Sequence, residues 1–335
     1  MQATDPTQSL DVPQKAITFV LGGVLLFSLQ DVGIKWISGG YPVHEIVLIR
    51  SLAAIWPILL LAYLEGGLVL LRTRRPLFHM ARAGAMLAAY TCFYLSVAAM
   101  PLADAVAIAF VAPLFVTALS ALLLREQVGL RRWMAVAAGF VGVLIMMQPG
   151  SAVFEPAALL AVAGALAYAL GAVATRSLGA TERGSALAFY PTAFYLGAGA
   201  LAGLALGDGR LAHSQHASLQ FLLRAWTVPS WTDLGVMILC GLFAAFGMYA
   251  ISQAYRITRA TAVAPFEYIA VPLSVLWGFL FWRDLPTART VLGIALIVGS
   301  GLYVLWRESA GRRIGARCDS DAQKQESAIR QRQIR

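Results

Sequence analysis

Ten stretches of about 20 mainly apolar residues follow one another along the chain, each the length a helix needs to cross a bilayer. They cover residues 16–38, 44–64, 79–98, 102–124, 132–148, 156–177, 184–206, 232–255, 260–282 and 287–306. In hydrocarbon a helix satisfies its own backbone N–H and C=O groups, so runs of this kind leave few alternatives. A soluble core cannot absorb them. With 59% of the 335 residues hydrophobic, 13% charged and a mean hydropathy of +0.71, too little polar surface is left to enclose such a core. The expected fold is therefore an all-α membrane protein of ten transmembrane helices, with connections too short for a further domain.

The formal charge of +9 does not point to nucleic acid, because the bases punctuate the apolar runs instead of forming a binding surface. If the N-terminus is cytoplasmic, 20 of the 26 Lys and Arg residues fall on the cytoplasmic side and five on the other, with Arg50 inside the second run. Positive charge is retained on the cytoplasmic side of membranes, so both termini are expected there, in a bacterial inner membrane. Eight of the bases lie in a polar tail, 307–335, suited to contact with anionic lipid head groups. The short segment 1–15 carries Asp5 and Asp11 before Lys15, which is not the basic start of a secretory signal, and the first run is read as a retained helix. Cys92, Cys240 and Cys318 stand far apart without metal-ligand spacing, so neither a disulfide framework nor a metal site is expected, and no cofactor motif is present.

The longest connection, 207–231, places Leu219, Leu222, Leu223 and Trp226 at helical spacing, which predicts a short helix lying on the outer membrane surface. Trp36, Trp133, Trp231, Trp282 and Trp306 fall near run ends as interfacial anchors, whereas Trp56 and Trp277 are expected inside.

Two parts of the chain look alike. Ala112-Pro113-Leu114 opens a run that ends in Leu124-Arg125-Glu126, and Val271-Pro272-Leu273 opens one that ends in Trp282-Arg283-Asp284; each is followed by an arginine and a Gly-rich helix. The offsets are 159 residues for the prolines and 158 for the Arg-acid pairs, and Lys35 and Arg176 close the first helices of the two units. Five crossings per unit is an odd number, so the second copy, 151–306, would be inverted relative to the first, 16–150. Inverted repeats characterise alternating-access transporters, with the binding site near the midplane between the halves.

With these motifs and Ala264-Pro265-Phe266-Glu267-Tyr268 in the ninth run, the sequence resembles the drug/metabolite transporter superfamily, EamA type, over about residues 16 to 306. The resemblance implies a secondary transporter of a small organic metabolite such as an amino acid, a nucleotide-derived metabolite, a vitamin or a drug-like solute. It also implies a central cavity between helices 1 to 4 and 6 to 9. Asp284 departs from the usual Glu of the pattern and keeps its charge.

An ionisable group in hydrocarbon costs about 2.5–3.5 kcal/mol on insertion scales, so each one present needs a partner, water or a task. Glu267, flanked by Pro265 and Pro272 that free backbone carbonyls one turn earlier, either binds a cation or carries a proton, or else locks helices together by pairing with Arg50 or Lys35. Asp31 and Lys35 are four residues apart on the first helix and can pair. Arg50 can grip an anionic substrate with two N–H groups or join an interhelical ion pair with Glu267 or Asp31. Asp104, just after Pro101, suits a helix start. Of the aromatic residues, Tyr94 and Tyr268 are preferred as cavity residues because helices 3 and 9 line the cavity in the resembled fold. The small-residue pairs Gly199/Gly203, Ala138/Gly142 and Ala295/Gly299 allow close helix packing and a homodimer.

The competing classes are an intramembrane enzyme and a receptor or scaffold. The four histidines lie in loops or at helix ends, and neither a His-Glu-x-x-His nor a Gly-x-Ser-x-Gly motif is present. A P-loop is absent too, which argues against direct coupling to ATP.

Overall fold

The computed structural model describes residues 8–73, 75–123, 129–149, 155–178, 184–257, 265–304 and 306. Among the described residues it is helical throughout, without strands. The helices are α1 (Gln8–Ile37), α2 (Val43–Leu64), α3 (Pro76–Ala99), α4 (Leu102–Ala109), α5 (Ala112–Leu123), α6 (Leu130–Met147), α7 (Ala157–Leu178) and α8 (Gly184–Leu206). They continue with α9 (Ala217–Leu223), α10 (Trp231–Ile257), α11 (Ala270–Trp277) and α12 (Ala288–Val304). All ten apolar runs carry helix. Eight segments are long and apolar enough to cross a membrane; α3 has the length but less apolarity, and α12 is shorter.

Two crossings are broken. The one spanning Leu102–Leu123 turns at Phe110 and Val111 between α4 and α5, and the one spanning Pro265–Trp282 turns at Tyr268 and Ile269 before α11. Pro113 and Pro272 follow these turns within a few residues, and a proline removes the N–H that would continue the ladder. The rings of Phe110 and Tyr268, 158 positions apart like the repeat itself, pack at 5.0 Å between centroids.

The helices pair across the two halves: α1 lies on α10, α3 on α7, α2 on α8, and α4 on α11. Exchanging the first five crossings with the last five maps this set onto itself, as a repeat requires. Along α2 the periodicity separates two surfaces. Ile46, Val47, Arg50, Ser51, Ala54 and Ile58 are buried, while Leu52, Trp56, Leu60 and Tyr63 form an exposed stripe facing lipid. Trp56, expected inside, is 67% exposed on that stripe. Its ring sits at i, i+4 from Leu52 and Leu60, a neighbourhood that an isolated tryptophan does not reveal.

Small residues bring the pairs close. An added Cβ at Gly199 would meet the backbone of His44 and Leu48 at 3.1 Å, and one at Gly142 would meet Leu296 at 2.9 Å. These glycines are used within the chain. Gly241 of α10 is the tightest against α2, with 2.3 Å from a Cβ there to the Arg50 carbonyl oxygen.

The 207–231 connection is placed differently from the surface helix expected. α9 has only seven residues, and its buried side chains are Ser218 and Phe221, with Leu222 packed against the main core. Leu219 is exposed, and Trp226 lies beyond the helix end. The segment is bound across the ends of the first three helices: Ser218 Oγ donates to the Leu95 carbonyl (2.7 Å), Arg224 Nη1 to that of Ser38 (3.2 Å), and Trp226 Nε1 to His44 Nδ1. Satisfying exposed helix-end carbonyls outweighs laying an apolar face on lipid. Arg125, Glu126, Arg183, Arg259, Ala264 and the tail 307–335 lie outside the described residues, as do the side chains of Arg176 and Arg256.

Candidate functional site

The buried polar side chains of α1, α2 and α3 converge where α10 crosses behind them. Gln30 and Asp31 are consecutive on α1, so they point to neighbouring parts of its surface. Tyr94 of α3, 3% exposed, bonds to both. Its hydroxyl donates to Asp31 Oδ1 at 2.5 Å and accepts from Gln30 Nε2 at 2.7 Å. Because the phenolic proton is committed to the carboxylate, Gln30 must present its NH₂ to Tyr94. That choice fixes the amide orientation and turns Gln30 Oε1 the other way. Oε1 is enclosed and meets no donor among the described residues.

Arg50 comes to the same place from α2. It is 8% exposed, and its guanidinium lies over the Tyr90 ring, 4.3 Å from the centroid. Tyr90 in turn packs against Tyr94 at 4.5 Å and Tyr195 of α8 at 5.9 Å. The face of the cation is thus occupied by an aromatic quadrupole, which favours a partly desolvated charge. Its edges are not. Nε and Nη1 are enclosed without an acceptor, and no carboxylate among the described residues reaches ion-pair distance, although Asp31 lies within Coulombic range. An enclosed donor of a charged group left unpaired is costly, so these two atoms call for a ligand. Cys240 of α10 closes the back of the cluster, its Sγ 3.7 Å from the Gln30 carbonyl oxygen.

The other candidates lie elsewhere. Lys35 does not pair with Asp31: its Nζ donates to the carbonyls of Val97 (3.1 Å) and Met100 (2.6 Å) at the end of α3 and sits 5.3 Å over the Trp282 ring. Two orphan carbonyls attract the ammonium, which a long side chain can reach, while Asp31 is held by Tyr94. Asp104 occupies the first turn of α4, within electrostatic range of Lys35 and Asp284. Glu267 stands apart from the Arg50 cluster, in the electrostatic neighbourhood of Tyr168 and Tyr268. Tyr268 is buried between Phe110 and Gly301, where an added Cβ would collide with its hydroxyl. Trp277, expected inside, donates from Nε1 to Ser28 Oγ at 3.1 Å. Gln30 is the residue that a search for charges passes over. Its signal is a neutral amide with two hydrogen-bonding ends inside an otherwise apolar run, adjacent to an aspartate.

Comparison with known proteins agrees with this architecture. Residues 14–148 match the model of the EamA-like transporter family. The chain is 31% identical over 304 residues to a riboflavin transporter of Rhizobium johnstonii, covering 89% of this chain and 93% of that protein. The chain belongs to the EamA-like transporter family. This places it in the drug/metabolite transporter superfamily, among multi-pass membrane proteins that move small molecules. It is also 23% identical to an S-adenosylmethionine uptake transporter of Rickettsia prowazekii, over 87% of this chain and 92% of that one. A protein of known crystal structure superposes with a TM-score of 0.58 at 19% identity, over 89% of this chain and 98% of the other, a likeness of fold. The EamA relatives include transporters of chemically different solutes, so the family leaves the ligand to the residues of the site.

Proposed function

We propose that this EamA-like protein is a secondary transporter working by alternating access, with its substrate held between Arg50, Asp31, Gln30 and the tyrosines 90, 94 and 195. The observation that carries the reading is the enclosed Arg50 guanidinium, stacked on Tyr90 and lacking an acceptor at two of its nitrogens. A merely structural arginine at such depth would be expected to have found a carboxylate or carbonyl. The site takes α1, α2 and α3 from one half and α8 and α10 from the other, which suits a repeat of 16–150 and 151–306 whose halves rock about it. Both termini are assigned to the cytoplasm and the protein to a bacterial inner membrane, so the 207–231 segment covers the periplasmic end.

Asp31, held by Tyr94 beside Arg50, and Glu267, beside the broken crossing, are the carboxylates assigned to proton coupling. Protonation of Asp31 would release its hold on the Tyr94 hydroxyl, linking a proton to the geometry of the site. The named substrate of the R. johnstonii relative, riboflavin, is a ring compound that tyrosines can pack against, and supports an aromatic or heteroaromatic solute here. Purified protein in liposomes tests the reading. Riboflavin or another heterocycle should cross under an imposed proton gradient, and Arg50→Gln should abolish the flux. A wild-type protein that moves no member of a broad metabolite panel under any gradient refutes transport.

A further inference from the structure

The unpaired atoms of the cluster form a pattern with a direction. Arg50 Nε and Nη1 offer only donors, and Gln30 Oε1 offers only an acceptor. All three are shut off from solvent, so in this structure water does not complete them. We infer, resting on the transport site proposed above, that the ligand is recognised through a cyclic imide edge, with its N–H given to Gln30 Oε1 and a flanking carbonyl oxygen to Arg50. Such an edge, O=C–NH–C=O in one plane, occurs in the pyrimidine-dione ring of an isoalloxazine and in free pyrimidine-diones.

Alternative ligand chemistries fit less well. A carboxylate satisfies Arg50 but brings no donor to Gln30 Oε1, and it places a second negative charge beside Asp31. A zwitterionic amino-acid group can reach both atoms, but two full charges must then be dehydrated where one cation and one carboxylate already oppose each other. A neutral imide adds no charge. Its flat ring also suits the space bounded by Tyr90, Tyr94 and Tyr195, whose centroids are separated by 4.5 and 5.9 Å along the row. Gln30 acts as the selective partner. Its amide cannot flip to offer NH₂ to the ligand while Tyr94 gives its proton to Asp31, so an acceptor at the imide nitrogen position is rejected.

The test is equilibrium binding to the full-length protein in detergent, followed by flavin fluorescence and by competition. The probes are lumiflavin, uracil, their 3-methyl derivatives, S-adenosylmethionine and glutamate. Lumiflavin or uracil should bind, and methylation of the imide nitrogen should weaken that binding about tenfold or more, since a buried acceptor is left unpaired. Lumiflavin without uracil identifies a flavin, and uracil without lumiflavin a free pyrimidine-dione. Gln30→Met should produce the same loss as methylation and should no longer distinguish methylated from parent compound. If the methylated compounds bind as tightly as their parents, or only S-adenosylmethionine or glutamate binds and does so through Arg50, the imide assignment is overturned while the site stands. If a ligand binds and Arg50→Gln does not weaken it, both the assignment and the site fall.

Discussion

Replacing Tyr94 by Phe removes one oxygen and leaves the ring, with its contacts to Tyr90 at 4.5 Å and Phe93 at 4.9 Å, in place. The packing contribution therefore cancels, and what is lost is the pair of hydrogen bonds to Asp31 and Gln30. A bond to a carboxylate is worth about 1.5–3 kcal/mol. The neutral bond from Gln30 is weaker, because hydrogen bonds between helices within membranes average about 0.6 kcal/mol. The sum predicts a destabilisation of roughly 2–3.5 kcal/mol, most of it from Asp31. SDS titration of the protein in mixed micelles measures it, with Tyr63→Phe on the lipid-facing stripe of α2 as the reference, expected within about 0.5 kcal/mol of wild type. In a double-mutant cycle, Asp31→Asn and Tyr94→Phe should cost less together than the sum of their separate effects. A Tyr94→Phe protein as stable as the Tyr63→Phe control would show that Tyr94 does not hold the site together.

Further outcomes follow from other contacts. Arg50→Lys keeps the charge but loses the planar group stacked on Tyr90, and should lower uptake about tenfold or more with the protein still folded, read by initial-rate flux and circular dichroism. Gly241→Ala forces a Cβ against the Arg50 carbonyl and the Ala53 side chain, and overpacking there should destabilise by about 1–3 kcal/mol in the same SDS titration. Glu267→Gln should abolish transport or its pH dependence without unfolding the protein; kinetics like wild type over about pH 5 to 8 would reduce Glu267 to a structural role. Trp226→Phe removes the donor to His44 and should speed tryptic cleavage at Arg210 or Arg224, and an unchanged digestion rate would count against the 207–231 segment being held by that bond.

The crossings were legible because their signal is local. A run of apolar residues needs no partner to be recognised, and the turns at Phe110 and Tyr268 lie close to prolines visible in the sequence. The repeat was equally legible, and the helix pairings respect it. Side-chain partners were harder. Asp31 and Lys35 share a face of α1, yet backbone carbonyls at the end of α3 draw the ammonium away, and a hydroxyl 63 residues along the chain takes the carboxylate. The 207–231 segment misled for a similar reason: its apolar spacing is genuine, but unsatisfied helix ends nearby offered hydrogen bonds that the sequence does not place.

The sequence by itself determined that the chain is a helical membrane protein, where its crossings fall and how few polar groups they contain, because hydrocarbon penalises each such group residue by residue. Only the tertiary structure decided that Gln30, Asp31, Arg50 and Tyr94 meet. Their meeting depends on how far α1, α2, α3 and α10 rotate against one another, and that rotation is set by close approaches such as the one at Gly241, between residues far apart in the chain.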